Sequence, residues 1–245
     1  MASKRAEDDA NPDEQAKLLA LVGLIAAHET EQAERLLRAS PSLARARVSV
    51  GASAEEAKDY FFESILHYVY AGDTALHMAA ASHDAGLCQC LIKLDADPAA
   101  KNRRGAQPLH YAADTNHKDV EGQRSTIRAL CAAGADPDAL DQSGVAPLHR
   151  AVRTRGAAAV EALLSAGAAL RLRNKSGSTP LHLAVQNTGR GGSGSATAVA
   201  QQRAIIELLL AQGARASDQD ARGKTVLAAA STAWIVALLE SDAAR

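Results

Sequence analysis

The chain has 245 residues, of which 47% are hydrophobic, and a formal net charge of −1 at pH 7. This length and apolar content allow a substantial buried core in one domain or two. The near-neutral total excludes a global basic field of the kind that binds nucleic acid or an acidic membrane, so any electrostatic recognition must be local.

The first fifteen residues are mostly polar and acidic, and we expect a disordered leader over residues 1–15. The apolar run Leu18–Ala27 is about half as long as a membrane-spanning helix needs to be. No small-residue cleavage site follows it, so we expect no secretory signal. Three cysteines form an odd and sparse set that fits a reducing compartment. Together these features predict a soluble, cytoplasmic protein.

Two short helical patterns follow the leader. Apolar residues recur at helical spacing over Ala16–Ala27 and Glu31–Ala39, and Ser40-Pro41 ends the second pattern. We therefore expect a helical pair within residues 16–47.

An aromatic-rich stretch comes next. Asp59–Tyr70 reads DYFFESILHYVY and holds five of the seven aromatic residues in the chain. It lies within residues 48–71, where Ser53-Ala-Glu-Glu places acidic residues at the start of a predicted helix. At helical spacing Phe61, Ile65 and Tyr68 share one face.

We therefore predict a helical flap with Phe61, Phe62 and Leu66 buried, and with Tyr68 and Tyr70 partly exposed. Its rings either pack against the preceding helices or form a contact surface. We prefer packing, because exposed apolar patches of this size are uncommon on monomers.

Beyond this stretch the chain repeats itself. Glycines at intervals of 33, 39, 33 and 46 residues open similar segments, namely GDTALHMAAAS from Gly72, GAQPLHYAADT from Gly105, GVAPLHRAVRT from Gly144, GSTPLHLAVQN from Gly177 and GKTVLAAASTA from Gly223. A period of 33 residues thus holds, with extra residues in the second and fourth units. The larger insertion lies in Thr188–Ala200, whose Gly/Ser content predicts a flexible loop.

Each repeat predicts a turn and two helices. The opening glycine suits a turn with positive φ, and threonine or proline suits the start of the inner helix. The later Gly134, Gly167 and Gly213 suit the end of the outer helix. We expect the recurrent leucines to point into the core, at Leu76, Leu109, Leu148 and Leu181. One unit cannot bury its apolar face alone, but several in contact can.

This pattern resembles the ankyrin-repeat family, in which a turn and two antiparallel helices carry T-P-L-H-x-A. The resemblance covers Tyr70–Arg245 and implies an all-α solenoid with short β-turn fingers and an insertion, residues 48–71, in the first finger. The implied units are 72–104, 105–143, 144–176, 177–222 and a C-terminal cap at 223–245. Residues 16–47 resemble a diverged N-terminal capping repeat.

One histidine recurs in each of four repeats, at His77, His110, His149 and His182. Adjacent helices pack about 8–10 Å apart, whereas zinc ligands lie about 2 Å from the ion, so neighbouring rings cannot share a metal. We expect each ring to bond nearby backbone or hydroxyl groups. We predict no metal and no cofactor, and because no nucleophile, base and orienting group converge, no catalytic site.

The resemblance implies that protein partners bind a concave face made of the fingers and the inner helices. Position by position, it predicts partner-binding residues at Tyr70, Lys101, Arg103, Arg104, Asp114, Thr115, Gln142, Arg150, Arg153, Thr154, Arg173, Lys175, Gln186, Asn187 and Arg222. Lys101–Arg104 and Arg171–Lys175 each carry three positive charges, so we expect the face to be locally basic.

The leading hypothesis is a monomeric, non-catalytic protein-binding module, either an adaptor or an inhibitor of its partner, with no small-molecule substrate and no membrane contact. The alternative is an electrostatic binder of nucleic acid or another polyanion through Arg103, Arg104, Arg153, Arg173 and Lys175. The neutral total charge argues against that alternative. We also predict no exposed aromatic residues interleaved with the basic ones, which single-stranded nucleic acid would need for stacking.

Overall fold

The computed structural model describes residues 12–53, 57–115, 119–186 and 194–243. Within these ranges the chain is mostly helical, as predicted, with one two-stranded sheet. It divides into unit 1, Met1–Ala112 with Ser125–Asp136, and unit 2, Ala113–Arg124 with Pro137–Arg245. None of the described helices is both long and apolar enough to cross a membrane.

The helices follow one another in pairs. Their bounds are α1 Pro12–Ala26, α2 Thr30–Ala39, α3 Ala75–Ala81, α4 Ala85–Lys93, α5 Pro108–Ala113, α6 Val120–Ala132, α7 Pro147–Arg153, α8 Ala157–Ser165, α9 Pro180–Ala184, α10 Ala196–Ala211, α11 Val226–Ala229 and α12 Ala233–Ala243. Short 3₁₀ helices span Pro41–Ala44 and Ala57–Tyr60. Strands β1 and β2 are Phe61–Phe62 and His67–Tyr68.

The repeat signals have the expected local effects. Helices α5, α7 and α9 begin at their prolines, where a missing N–H removes no helical hydrogen bond. Gly134, Gly167 and Gly213 follow their outer helices with φ of 92°, 93° and 99°. In the first repeat Asp95 occupies this position with φ 64°. The recurrent leucines of the inner helices are buried, as predicted.

The N-terminal helix begins earlier than predicted. Helix α1 starts at Pro12, so the disordered leader is wrong for residues 12–15, and residues 1–11 lie outside the described part of the chain. Pro12 and the acidic Asp13 and Glu14 form a favourable first turn. The Gln15 side chain also donates to the Arg47 carbonyl at 2.8 Å, which ties this turn to the chain beyond α2.

The aromatic stretch is a β-hairpin, so the predicted helical flap is wrong. β1 pairs antiparallel with β2, with Phe61 opposite Tyr68 and Phe62 opposite His67. The aromatic side chains here prefer strands, and side chains in a strand alternate with a period of two. Phe61 and Tyr68 consequently lie on one face, with 38% and 36% of their surface exposed.

Burial in the hairpin therefore differs from the prediction. Ile65 and Val69 are buried, Phe62 is half-buried, and Leu66 in the turn is 52% exposed. Burial of Phe61 and Leu66 was thus wrongly expected. Partial exposure of Tyr68 is confirmed, and Tyr70 is half-buried.

The predicted Gly/Ser loop is shorter than expected. Helix α10 begins at Ala196, and the Ser195 side chain caps it by accepting a hydrogen bond from the Ala198 N–H at 3.2 Å. The flexible-loop prediction is therefore wrong for Ala196–Ala200. Residues 188–193 of that loop lie outside the described ranges.

We predict opposite effects of two substitutions at the ends of outer helices. Gly167→Ala should destabilise the fold by about 1 kcal/mol through backbone strain alone. A Cβ at Gly167 meets nothing within 4 Å, and the φ of 93° disfavours alanine. Asp95→Gly should stabilise the fold by about 0.5 kcal/mol, because it relieves the same strain. Urea unfolding measures both, and an unchanged midpoint for Gly167→Ala would contradict the assignment.

Candidate partner-binding surface

An asparagine or aspartate three residues before each of four glycines builds the turn of each finger. The Asn102 Oδ1 accepts from the N–H groups of Arg104 (2.9 Å) and Ala106 (3.0 Å). The Asp220 Oδ1 accepts from Arg222 (2.8 Å) and Lys224 (2.9 Å) in the same way. Asp141 and Asn174 occupy the equivalent positions and also accept from their own turns. Such side-chain bonds fix a tight turn.

The two residues inside each turn project from its tip. In the four fingers they are exposed, at Arg103 and Arg104, Gln142 and Ser143, Lys175 and Ser176, and Ala221 and Arg222. The structure therefore brings the predicted finger residues to equivalent exposed places. The turn glycines Gly105, Gly144, Gly177 and Gly223 have positive φ, as predicted.

Neighbouring fingers of unit 2 are bonded to each other. The Lys175 N–H donates to the Ser143 carbonyl at 3.4 Å, and its ammonium donates to the Gln142 carbonyl. In the next pair, Ala221 N–H donates to the Gly177 carbonyl at 3.1 Å. In unit 1 the Arg103 N–H donates to the Ala71 carbonyl at 2.8 Å. These bonds hold the tips in fixed positions.

The recurrent histidines form hydrogen bonds to the backbone of the fingers. Nδ1 of His77 accepts from the Thr74 N–H (3.1 Å), and its Nε2 donates to the Ala106 carbonyl (3.1 Å). His149 accepts from the Ala146 N–H (3.2 Å) and donates to the carbonyls of Leu172 (3.1 Å) and Ser178 (3.3 Å).

His182 completes the pattern. Its Nδ1 accepts from the Thr179 hydroxyl at 2.8 Å, and its Nε2 donates to the Lys224 carbonyl at 3.0 Å. Ala106, Ser178 and Lys224 each come one residue after a finger glycine. Each ring therefore connects the start of its own helix to the finger of the following repeat.

These bonds require a neutral ring, because Nδ1 accepts while Nε2 donates. Burial lowers the pKa of His77 and of His149 from the ordinary 6.5. The hydrogen bonds and the burial thus both favour the neutral form of the ring.

In unit 2 four predicted residues are engaged internally. The Arg150 guanidinium donates to Asp114 Oδ2 (2.9 Å) and Asp141 Oδ2 (3.4 Å), so carboxylates compensate its charge. Thr154 and Thr115 are joined as well, since the Thr115 N–H donates to the Thr154 hydroxyl at 3.1 Å. These four predicted residues position the inner helices, while Arg153 and Gln186 are exposed at the helix ends.

Several predicted cations are exposed and form no ion pair with a described residue. They are Lys101, Arg103 and Arg104 in unit 1, and Arg153, Arg173, Lys175 and Arg222 in unit 2. The nearby acidic groups of unit 2 are used elsewhere, because Asp218 pairs with Arg171 at 3.0 Å. Backbone N–H groups of Lys224 and Arg222 lower the pKa of Asp220. Asn187 lies outside the described residues.

A cavity of about 270 Å³ opens in unit 2 beside Arg153 and Gln186. Leu183 and Ile205 contribute apolar surface, and Arg155 contributes a guanidinium whose Nη2 is buried without a hydrogen-bond partner among the described residues. The cavity therefore combines apolar walls with donors suited to a carboxylate or carbonyl oxygen.

The thiols are poorly suited to metal binding or nucleophilic chemistry. Burial raises the pKa of Cys88 and Cys90, and raises that of Cys131 to about 11. A thiolate is the reactive and ligating form, so these groups are thiols at neutral pH. Among the described side chains, no group of three or more His, Cys, Asp or Glu residues is placed to hold a metal ion.

Two parts of this surface were missed from the sequence. The turn-forming Asn102, Asp141, Asn174 and Asp220 have the same spacing as the glycines, which is a signal that was available. The exposure of Phe61 was missed because the stretch was given a helical period. A period of two, together with the run of aromatic residues, would have indicated a hairpin.

The repeated helix pairs, braced turns and exposed tips define a helical repeat protein of the binding type. A family model for ankyrin repeats in three copies matches residues 50–121 and 120–193, and a model for one ankyrin repeat matches residues 176–224. The chain belongs to the ankyrin-repeat family, and its all-α fold class is confirmed. Ankyrin repeats are generally protein–protein interaction modules. A comparison with curated protein sequences gave no significant match.

The histidine braces predict a pH dependence of stability. The folded pKa of His77 and His149 lies below the unfolded value of 6.5, so the unfolded chain binds more protons below that pH. The contribution of these two histidines to the free energy of unfolding is complete above pH 6.5. It is lost as the pH falls from 6.5 through the folded pKa. The slope should approach about 1.4 kcal/mol per pH unit for each histidine.

Urea unfolding between about pH 5 and 7.5 measures this effect, since Asp and Glu side chains titrate mainly below this window. His149→Gln should reduce the slope, because it removes one titrating ring. A free energy of unfolding that rises as the pH falls through this window would contradict the neutral braces.

Proposed function

We propose that this protein is a non-catalytic binding module that recognises an acidic segment of a partner protein through its finger tips and inner-helix ends. The observation that carries the proposal is a set of exposed cations in unit 2 that form no ion pair with a described residue, namely Arg153, Arg173, Lys175 and Arg222. Protein-binding repeats need an accessible surface with fixed side-chain positions, and the turn bonds provide it. The partner remains to be identified by experiment.

Internal ion pairs neutralise two acidic groups near the fingers of unit 2. Asp141 accepts from its own turn and from Arg150, and Asp218 pairs with Arg171. Arg153, Arg173 and Lys175 are exposed, and none of them forms an ion pair with a described residue. The local field therefore attracts an acidic partner although the chain has a net charge of −1.

The unit 2 cavity would receive one side chain of that partner. Arg153, Arg155 and Gln186 line it. A glutamate or aspartate would place its carboxylate beside the two arginines, while the stem of the side chain would contact Leu183 and Ile205.

The biological role that follows is that of an adaptor or an inhibitor that covers a surface of its partner. We propose that the protein acts as a monomer in the cytoplasm. The three cysteines support the location, because all are free in the described chain and such thiols persist in a reducing compartment.

One observation favours the alternative of polyanion binding. The guanidinium groups of Arg103 and Arg104 both lie near the ring of the half-buried Tyr70, so one aromatic residue does lie beside basic ones. The local extent of this cluster and the neutral total charge favour a protein partner instead. Phosphate contacts would give a steep loss of affinity with salt, which distinguishes the two functions.

We predict that Arg153→Glu combined with Arg173→Glu lowers recovery of specific partners by about tenfold or more, because like charges then oppose an acidic surface. Quantitative affinity purification from nuclease-treated lysate measures this recovery. Lys93→Glu with Arg128→Glu changes the net charge equally on the outer helices α4 and α6 and should preserve recovery. Equal recovery by both variant pairs would contradict the proposal.

A further inference from the structure

The hairpin of unit 1 presents a continuous row of rings. The Phe61 and Tyr68 ring centroids lie 4.7 Å apart, and those of Tyr68 and Tyr70 lie 6.2 Å apart. Leu66, in the turn of the same hairpin, is one of the most exposed large apolar side chains of the described residues. We call Phe61, Leu66, Tyr68 and Tyr70, with Arg103 and Arg104, the hairpin surface.

Two arginines border one end of this row. The Arg104 Cζ lies 4.9 Å from the centroid of Tyr70, and the Arg103 Cζ lies 5.6 Å from it. Arg104 also donates to the Tyr70 hydroxyl at 2.8 Å. The Arg103 guanidinium donates to the Ala52 carbonyl, and neither guanidinium pairs with a carboxylate among the described residues. Tyrosine and arginine are the residues that most often dominate binding energy at protein interfaces.

A buried carboxylate holds the hairpin surface in place. Asp73 is 0% exposed and accepts from the Tyr70 N–H (2.7 Å), the Tyr111 hydroxyl (2.9 Å) and the Asn102 side chain (2.9 Å). Tyr111 in turn stacks against His67 of β2, with ring centroids 4.0 Å apart.

The same network fixes the strands and the finger beneath the arginines. Asn102 makes the turn that carries Arg103 and Arg104, and Tyr70 lies two residues after the end of β2. The rings and guanidinium groups are therefore ordered before binding, which lowers the entropic cost of binding a partner.

Leu66 has a backbone conformation that leucine rarely adopts. Its φ is 53°, in the left-handed region where asparagine or glycine is more stable than leucine. Its side chain is also exposed, so burial does not offset this cost. The Leu66 N–H donates to the Glu63 carbonyl at 3.3 Å, so the hairpin turn requires this backbone conformation, while the exposed leucine side chain in it is accessible to a ligand.

The turn end of the surface carries one acidic side chain. Glu63 lies in the turn and is exposed, whereas Arg103 and Arg104 lie against Tyr70 at the other end of the hairpin. Charge along the hairpin surface thus runs from negative at the turn to positive at Arg103 and Arg104. A ligand is oriented by this difference, with its carboxylates at the arginine end.

We infer that the hairpin surface binds a peptide segment of a partner protein in which an apolar side chain is flanked on one side by carboxylates. The apolar side chain contacts Phe61, Leu66 and Tyr68, and the carboxylates contact Arg103 and Arg104. This inference rests on the proposed protein-binding function and names the chemistry of the partner.

The test is a selection of random twelve-residue peptides displayed on phage against the intact chain. Enriched peptides should carry net negative charge and at least one large apolar residue. Fluorescence anisotropy of the labelled peptides then gives their affinities. Leu66→Asn should weaken binding about tenfold while leaving the melting temperature unchanged or higher. Arg104→Gln should weaken binding to a similar extent. Enrichment of peptides that lack acidic residues would overturn the inference.

Leu19→Gln is the matched control, because Leu19 is an exposed leucine on α1. It should leave peptide affinity unchanged. Equal affinity of the wild type, Leu66→Asn and Arg104→Gln would overturn the inference. So would preferential binding of a twenty-residue oligothymidine that these two variants abolish, because the ligand class would then be nucleic acid.

The same peptides separate this inference from the proposed function. If their binding is lost in the Arg153→Glu and Arg173→Glu protein but not in Leu66→Asn, the hairpin inference fails and the proposed function stands. If no selected peptide responds to any of these variants, both fail.

Discussion

The positions of the finger tips depend on one recurrent interaction, the hydrogen bond from a neutral histidine ring of one repeat to a backbone carbonyl in the finger of the next. His77, His149 and His182 each donate to the carbonyl that follows a finger glycine. The same carbonyls also accept from the Asn or Asp that opens each turn, at 3.0 Å for Asn102 and Asn174 and 2.9 Å for Asp220. Both lone pairs of each carbonyl are thereby used. A shift of one finger would break bonds in two repeats.

This arrangement separates structural residues from residues available for binding. Asx side chains, histidines and turn glycines form the framework, and the two residues at each tip face solvent. Arg150 and Asp114 resemble binding residues in sequence, yet they neutralise each other within unit 2. Arg103 and Arg104 project from a turn that the buried Asp73 and Asn102 support. Position within the repeat thus decides the role more than residue type does.

The sequence predicts the repeats well because their signals are local and recur. Prolines at helix starts, glycines at helix ends and leucines in the core each have one physical explanation. The same signals recur in each repeat. The hairpin was mispredicted because it occurs once, and because its apolar residues fit a helical period as well as a strand. Its exposure depends on contacts distant in sequence, such as His67 with Tyr111 and Ser64 with the Ala26 carbonyl. The pairing of Arg150 is equally non-local.

The most direct test of this account is a ¹⁵N NMR measurement of the imidazole nitrogens in the intact protein. His77, His149 and His182 should show a protonated Nε2 and an unprotonated Nδ1 at neutral pH. His77 and His149 should retain that state below pH 6.5, where an ordinary histidine becomes charged. Rings protonated at Nδ1, or titration of His77 or His149 at pH 6.5, would contradict the bonds that fix the fingers.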